Sequence, residues 1–475
     1  MKRPIVICAL GFVCTFSGCF AKIHDLPAHP DTTSPIFAPL PDRSTLVGLA
    51  ISGGGSRAAT FAAGALEALA AIRVNQGGQP HSVLETVTHM SSVSGGSLAT
   101  AYYALKKPLK SEPVIGPEGL SPVYERFFSA FKADMQLNFQ RKALVRQLLK
   151  FRAFNPTKSA YSFAEVWDDH FFHEATLSDL YEREQGGDAP QVVFNGTIYN
   201  SGRRLVLTTL PPQDFSYEFA KELRENLLEK GERFTPEGRA SFDRSLMRAK
   251  NQFIPQTFEQ LGADHRYLPV SLAVATSASF PPVVGPVTYH AEGAGTYTHV
   301  GDGGLFDNLG TESLTTLFLN KVHLGRATGK RALILVIDAS FPFEEGNAYL
   351  DLKKKGYGVF VDDPSRIVGI MEERANAYQA MLWHSIRAET ELLPDYDHFK
   401  LILLRHTEAE WTADDPIPAA CPNSLTPEEI RKTIQQIPTL FKIEEPCHGA
   451  LLIATAHKVV DKQRKRIVDF LEQSP

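Results

Sequence analysis

The chain predicts an α/β fold, and three observations carry that expectation. Residues 46–51 form a short apolar run with Gly48 inside it, followed by Gly53-Gly54-Gly55-Ser56-Arg57 and then the alanine-rich residues 58–72, a strand–turn–helix pattern. Residues 86–93 hold threonine and valine, which favour extended backbone, and end at Ser92-Val93-Ser94-Gly95-Gly96 before a short apolar helix over 98–105. Residues 332–337 are almost continuously aliphatic, the pattern of a central parallel strand covered on both faces.

At 475 residues and 43% hydrophobic, the chain can bury a large core, and an α/β enzyme of this size is commonly one domain with insertions. A net charge of −5 gives no reason to expect a nucleic-acid partner. Lys2 and Arg3, an apolar run over 5–16 and the exit Phe16-Ser17-Gly18-Cys19 read as a signal peptide of residues 1–18, because the run is too short to span a bilayer. Its last four residues resemble a bacterial lipobox with phenylalanine in the usual leucine place, which implies lipidation of Cys19. An ordinary signal with incidental cysteines is the alternative. The expected location is the bacterial envelope, at the outer membrane or the periplasmic face, with the membrane met through the lipid anchor. Cys421 and Cys447 then remain, either paired in an oxidising compartment or as unrelated thiols.

Residues 19–44 carry Pro27, Pro30, Pro35, Pro39 and Pro41 and read as a tether. One folded domain is expected over 45–475, with helical insertions at about 109–190 and 217–266. In the first insertion Phe127, Phe128, Phe131, Phe139, Leu144, Leu148 and Leu149 alternate with Lys132, Arg141, Lys142, Arg146, Lys150 and Arg152. That pattern fits a solvated face over a core stripe or, alternatively, a surface facing anionic lipid. Residues 191–194 and 205–208 read as paired strands, 401–404 as another strand, and about 449–471 as a final helix.

Three pieces bear chemistry. Consecutive glycines at 53–55 let backbone amides approach an anion at a helix start; the spacing matches neither the lysine-bearing phosphate loop nor the dinucleotide fingerprint. Ser94, at a strand-to-helix corner with Gly96 two residues on, fits a nucleophile elbow, although Ser92 stands where glycine is usual. Ser97 is a rival that falls inside the helix. Asp302, flanked by Gly301, Gly303 and Gly304, is a carboxylate that another group can approach closely, or else part of a calcium-binding or plain turn. Asp307 reads as a helix-start residue, and no metal-ligand spacing is present.

Together and in this order, these pieces resemble the patatin-like phospholipase family. Further similar stretches are Ala275-Thr276-Ser277-Ala278-Ser279-Phe280-Pro281-Pro282 and Phe194-Asn195-Gly196-Thr197 with Gly202-Arg203-Arg204. The similarity runs from about residue 46 to about residue 317. It implies a three-layer α/β/α sandwich with a mainly parallel sheet, and a lipid substrate cleaved at its ester without a cofactor. Ser94 would be the nucleophile and Asp302 the base, with Gly53, Gly54 and Gly55 forming the oxyanion segment and Arg57 bracing it.

That dyad raises a difficulty, because an ordinary aspartate with a pKa of about 3.9 is a poor base for a hydroxyl. Desolvation must raise it. Two rivals stay open: an α/β-hydrolase triad using one of His323, His384, His398, His406, His448 or His457, and a non-catalytic envelope lipoprotein that binds lipid.

Overall fold

The computed structural model describes residues 21–30, 34–117, 119–150, 152, 155–217, 235–281, 284–324, 330–340, 375, 377 and 399–473. Residues 1–20, which contain the expected signal and Cys19, lie outside them. Strands β1 (Ile23–Leu26), β2 (Thr45–Ile51), β5 (His89–Ser92), β6 (Gln191–Ile198), β7 (Arg203–Thr208), β8 (Val287–Ala291), β9 (Tyr297–Asp302), β10 (Arg331–Asp338) and β11 (Phe399–Arg405) build one mixed sheet. A separate hairpin pairs β3 (Arg73–Gln76) with β4 (Gln79–Ser82). From β11 through β10, β2 and β5 to β6 every pairing is parallel. The parallel α/β expectation therefore holds.

Alternation along the central strands creates the layers. Val47, Leu49 and Ile51 of β2, with Leu333, Leu335 and Ile337 of β10, join the core that includes Phe61, Leu66 and Leu69 of α1 (Gly55–Ala70) and Leu98 of α2 (Gly95–Lys106). Leu46, Ala50, Ile334 and Val336 point the other way, into the core that holds Leu314, Leu317 and Phe318 of the helix Thr311–Leu324. Gly48 is small for a reason: a Cβ there would meet the Phe318 ring.

Three boundaries depart from the sequence reading. Residues 83–86 form a helical turn, closed by a Ser82–Glu85 capping box, so β5 is shorter than the extended run suggested. Helix α2 starts at Gly95 rather than Leu98, since tertiary contacts override poor glycine propensity. The proline-rich segment is not simply a tether: Ile23–Leu26, just ahead of Pro27, adds β1 in parallel to β8, and Phe37 is buried. A four-residue strand with one fully buried side chain leaves no period to read.

The first insertion is helical, with α3 (Pro122–Asp134), α4 (Phe139–Leu149), α5 (Ser159–Trp167) and α6 (Leu177–Gly186). The second contributes α7 (Pro236–Phe253), with residues 218–234 outside the described set. Helix α8 (Val270–Ser277) precedes β8, and α9 (Thr311–Leu324) follows β9. The chain then closes with α10 (Pro427–Gln436) and α11 (Pro446–Glu472). Cys421 and Cys447 are bonded to each other, 26 residues apart in sequence. Among the described residues no helix is long and apolar enough to cross a membrane.

Candidate active site

Ser94 sits at the sharp corner between β5 and α2. Its φ of 52° and ψ of −120° are conformations that side-chain-bearing residues rarely adopt, so the corner is strained. Glycines make the corner possible. A Cβ on Gly95 would overlap the Gly55 carbonyl, and one on Gly96 would collide with the carbonyls of Ile51 and Ser52. The elbow and the glycine run thus touch backbone to backbone.

A buried polar network holds the corner. The Ser94 amide is shared between the carbonyl and the Oγ of Ser277, each at 3.1 Å. Ser277 Oγ donates to the Asn195 carbonyl at 2.6 Å. Asn195 Nδ2 donates to Ser91 Oγ at 2.8 Å and to the Ser92 carbonyl at 2.9 Å, while Ser313 Oγ donates to Asn195 Oδ1 at 2.5 Å. Ser97, the rival nucleophile, is fully buried and lies 2.9 Å from Ser277 Oγ and 3.2 Å from Ser92 Oγ. It is a prop for the elbow. Ser92, in the place where glycine is usual, belongs to the same network.

Asp302 ends β9. Its amide donates to the Ser279 carbonyl at 3.0 Å, and its carbonyl accepts Thr197 Oγ1 at 2.8 Å. Oδ1 accepts the Gly304 amide at 2.7 Å, whereas Oδ2 is buried and makes no hydrogen bond among the described residues. Burial pushes the carboxyl up to about 7, against the opposing pull of the Gly304 amide and the nearby Ser94 hydroxyl. That hydroxyl is close enough to favour the charged form, yet no hydrogen bond of normal geometry joins the pair. The difficulty of a weakly basic aspartate is met by desolvation. The flanking glycines have separate reasons: side chains at 301, 303 and 304 would meet Tyr199, the Asn195 backbone and Asn308 respectively.

Within the glycine run the three residues behave differently. Gly54 (φ 140°) and Gly55 (φ 60°) open α1, and among the described residues their amides make no hydrogen bond. They are the donors open to an anion. The Gly53 amide is already committed to the Asn308 carbonyl at 2.9 Å, so Gly53 departs from the expected oxyanion role and instead packs beside Ser94. Arg57 is buried and aims away from the serine: Nε donates to the Ala339 carbonyl at 2.8 Å and Nη1 to the Ile437 carbonyl at 2.7 Å. It braces the loop against β10 and the C-terminal segment. Leu440 adds to that brace by accepting the Ser56 amide at 2.7 Å.

No described histidine hydrogen-bonds to Ser94 or Asp302. His406 Nδ1 lies 3.2 Å from the Asp338 carbonyl, His457 pairs with Glu67 at 2.8 Å, and His448 lies by Glu445. The side chain of His323 and residues His384 and His398 fall outside the description. Asp307 accepts the amides of Leu309, Gly310 and Glu312 and so organises the start of α9, as expected. Among the described residues no cluster of three metal-ligating side chains occurs. A cavity of about 490 Å³ opens by His89 and Gln191, at the opposite ends of β5 and β6 from Ser94, and does not include the serine or the aspartate. It plays no part in this chemistry.

Sequence reasoning did not assign roles to Asn195, Ser277, Ser279 or Asn308. The first three lie in the stretches 194–197 and 275–282, whose similarity was visible but whose function needed tertiary contacts.

Residues 49–315, more than half of the chain, match the family model described as patatin-like phospholipase. No curated protein matches the chain. Among solved structures, human GIVD cytosolic phospholipase A2 in complex with methyl gamma-linolenyl fluorophosphonate inhibitor and terbium chloride is similar at 14% identity and a TM-score of 0.42. The same human protein without a ligand in its description is similar at 11% identity and a TM-score of 0.40. Each match covers 90% of this chain and 60% of the solved one. Likeness at that level carries no argument about the site.

Proposed function

Because the chain belongs to the patatin-like phospholipase family, and so to the lipid acyl hydrolases, we propose that it cleaves carboxylic esters of phospholipids or related glycerolipids through a Ser94–Asp302 dyad. The observation that carries this reading is the buried Oδ2 of Asp302, which has no hydrogen-bond partner among the described residues, beside a strained serine corner, on a carboxyl raised to about 7. A base is most effective near the working pH.

In this scheme the Ser94 oxygen bonds to the ester carbonyl carbon as its proton passes to Asp302. The carbonyl oxygen gains the negative charge and meets the Gly54 and Gly55 amides, a kind of contact that contributes several kcal/mol when preorganised. As the tetrahedral species collapses, the ester C–O bond breaks and Asp302 returns the proton to the leaving alcohol. Water then attacks the acyl carbon as Asp302 takes its proton; the bond to the Ser94 oxygen breaks, the fatty acid leaves and Asp302 returns the proton to Ser94. Among the described residues no histidine partners Ser94 or Asp302, which supports this dyad over the triad.

A fluorophosphonate probe tests the reading, with lipid mass spectrometry of the purified chain beside its Ser94→Ala control. Labelling at Ser94, together with release of fatty acid that the control lacks, is expected. A folded chain that is not labelled returns the non-catalytic lipid-binding reading.

We also propose that residues 1–18 direct export and that Cys19 is acylated, anchoring the protein in the bacterial envelope. The support is the basic start, short apolar run and lipobox-like exit. Radiolabelled palmitate appearing on the chain, with processing blocked by globomycin, is the expected result; absence of label removes the anchor.

A further inference from the structure

Helix α4 is turned inside out relative to an ordinary surface helix. Phe139 and Ala143 face the core, while Leu144, Val145, Leu148 and Leu149 are 52%, 47%, 57% and 75% exposed. At 100° per residue these four share one outward arc, with the exposed Arg141 among them. The core-stripe reading of the insertion therefore holds through Phe139 and fails at the leucines. Four adjacent exposed aliphatic side chains on one helix mark an interaction surface rather than scattered surface residues.

Three features identify the occupant. Around the leucines stand Arg141, Lys142, Arg146, Lys150 and Arg152; among the described residues Glu165 and Asp169 are the carboxylates that pair with them. The positive field extends to Lys22, whose pKa is lowered first by burial and then by Arg152, against the opposing pull of Glu165, with smaller contributions from Lys150 and Lys158. Lys22 also fixes where the chain emerges: its amide donates to Thr157 Oγ1 at 3.4 Å and its Nζ lies 3.7 Å from the Tyr161 ring centroid. Cys19 is three residues earlier, about 10 Å of extended chain at most, so an acyl chain there would enter a membrane on this side of the molecule. Finally, α4 adjoins the site. The Gln140 amide donates to the Phe441 carbonyl at 3.0 Å, and the neighbouring Leu440 holds the Ser56 amide and covers Gly55. Phe441 itself packs at a tilt against Phe163 and edge-on against Trp167.

We propose that the outward face of α4 docks on an anionic lipid surface, its leucines entering the acyl boundary and its basic rim meeting lipid phosphates. Docking in this way seats the glycine loop next to the bilayer that holds the substrate. The inference deepens the lipid-hydrolase reading and names the surface on which that site works.

Hydrogen exchange read by mass spectrometry over residues 139–150 tests it in the full-length Ser94→Ala chain, which leaves the vesicles uncleaved. With phosphatidylcholine vesicles containing about a third phosphatidylglycerol, exchange across this helix should slow about tenfold. The slowing should vanish in the same chain carrying Leu148→Asp and Leu149→Asp, two exposed positions whose change leaves the core intact. Unchanged exchange on vesicle addition overturns the proposal. So does equal slowing by phosphatidylcholine alone, which removes the anionic requirement, or slowing that follows protein concentration without vesicles, which assigns the face to a second copy. If Ser94 resists the fluorophosphonate in the wild-type chain while α4 is still protected, the hydrolase reading falls and the docking face stands.

Discussion

Ser92 and Asp302 end two strands that run toward each other along one edge of β6, Ser92 opposite Phe194 and Asp302 opposite Gly196. Strand β7 occupies the other edge from Val193 to Ile198, which forces β5 and β9 to share this one and to stop on either side of Asn195. Asn195 binds the end of β5 through its side chain and meets Gly303 through its backbone. The register thereby brings Ser94, two residues beyond one strand end, toward the carboxylate that closes the other.

Ser94 and Ser97 should separate cleanly. Ser94→Ala is expected to abolish fluorophosphonate labelling while the chain stays folded. Ser97→Ala should keep labelling and lower stability by about 1 kcal/mol, the net worth of a hydrogen bond in the elbow network. Label located by peptide mapping, with thermal melts of both variants, checks this; labelling at Ser97 would reverse the assignment.

The pH dependence follows from the raised Asp302 carboxyl. Below about pH 7 it is protonated and cannot accept the serine proton, so kcat/KM on a soluble ester should climb tenfold per unit up to about 7 and level above it. An acid limb centred near pH 4 instead would mean an ordinary, solvated aspartate.

Asp302→Asn should remove nearly all turnover and yet stabilise the fold. A carboxyl raised from 3.8 to about 7 in the native state contributes stability below its unfolded pKa and loses it as pH rises through 7. The asparagine retains an acceptor for the Gly304 amide without the buried charge. Its advantage over wild type should therefore be small at pH 4 and grow to the order of 4 kcal/mol by pH 8, as denaturant titrations at both pH values would read.

Arg57→Ala leaves the carbonyls of Ala339 and Ile437 buried without that donor. A loss of about 2–5 kcal/mol is expected, together with slower labelling of Ser94 as the Gly54–Gly55 loop loosens. A variant as stable as wild type that reacts at the same rate would show that the brace is dispensable.

Separating Cys421 from Cys447 by paired serine substitution should cost about 3 kcal/mol, from the loop closed across 26 residues. Guanidinium titration of the oxidised chain and the double variant measures it.

What could be read beforehand followed from local physics. The strand at 46–51 and the strand at 332–337 declare themselves through unbroken aliphatic runs, and the elbow and acid loop through small residues crowded around one reactive group. These patterns need only nearest neighbours in sequence. The four-residue β1 carried too little period to announce itself among prolines, and the leucines of α4 fit either a core stripe or a lipid-facing surface, because alternation with lysine and arginine looks the same from either side of a helix.

The amino-acid order by itself determined the α/β class, the glycine-lined corner at Ser94 and the isolated carboxyl at Asp302, since each depends on what the backbone can do over a few residues. Only the tertiary structure decided that these two meet across Asn195, that the carboxyl is buried enough to titrate near neutrality, that the Gly53 amide is already taken, and that α4 turns its leucines outward. Those properties depend on which surfaces lose water when distant segments pack, and solvent exclusion is not a local property of a chain.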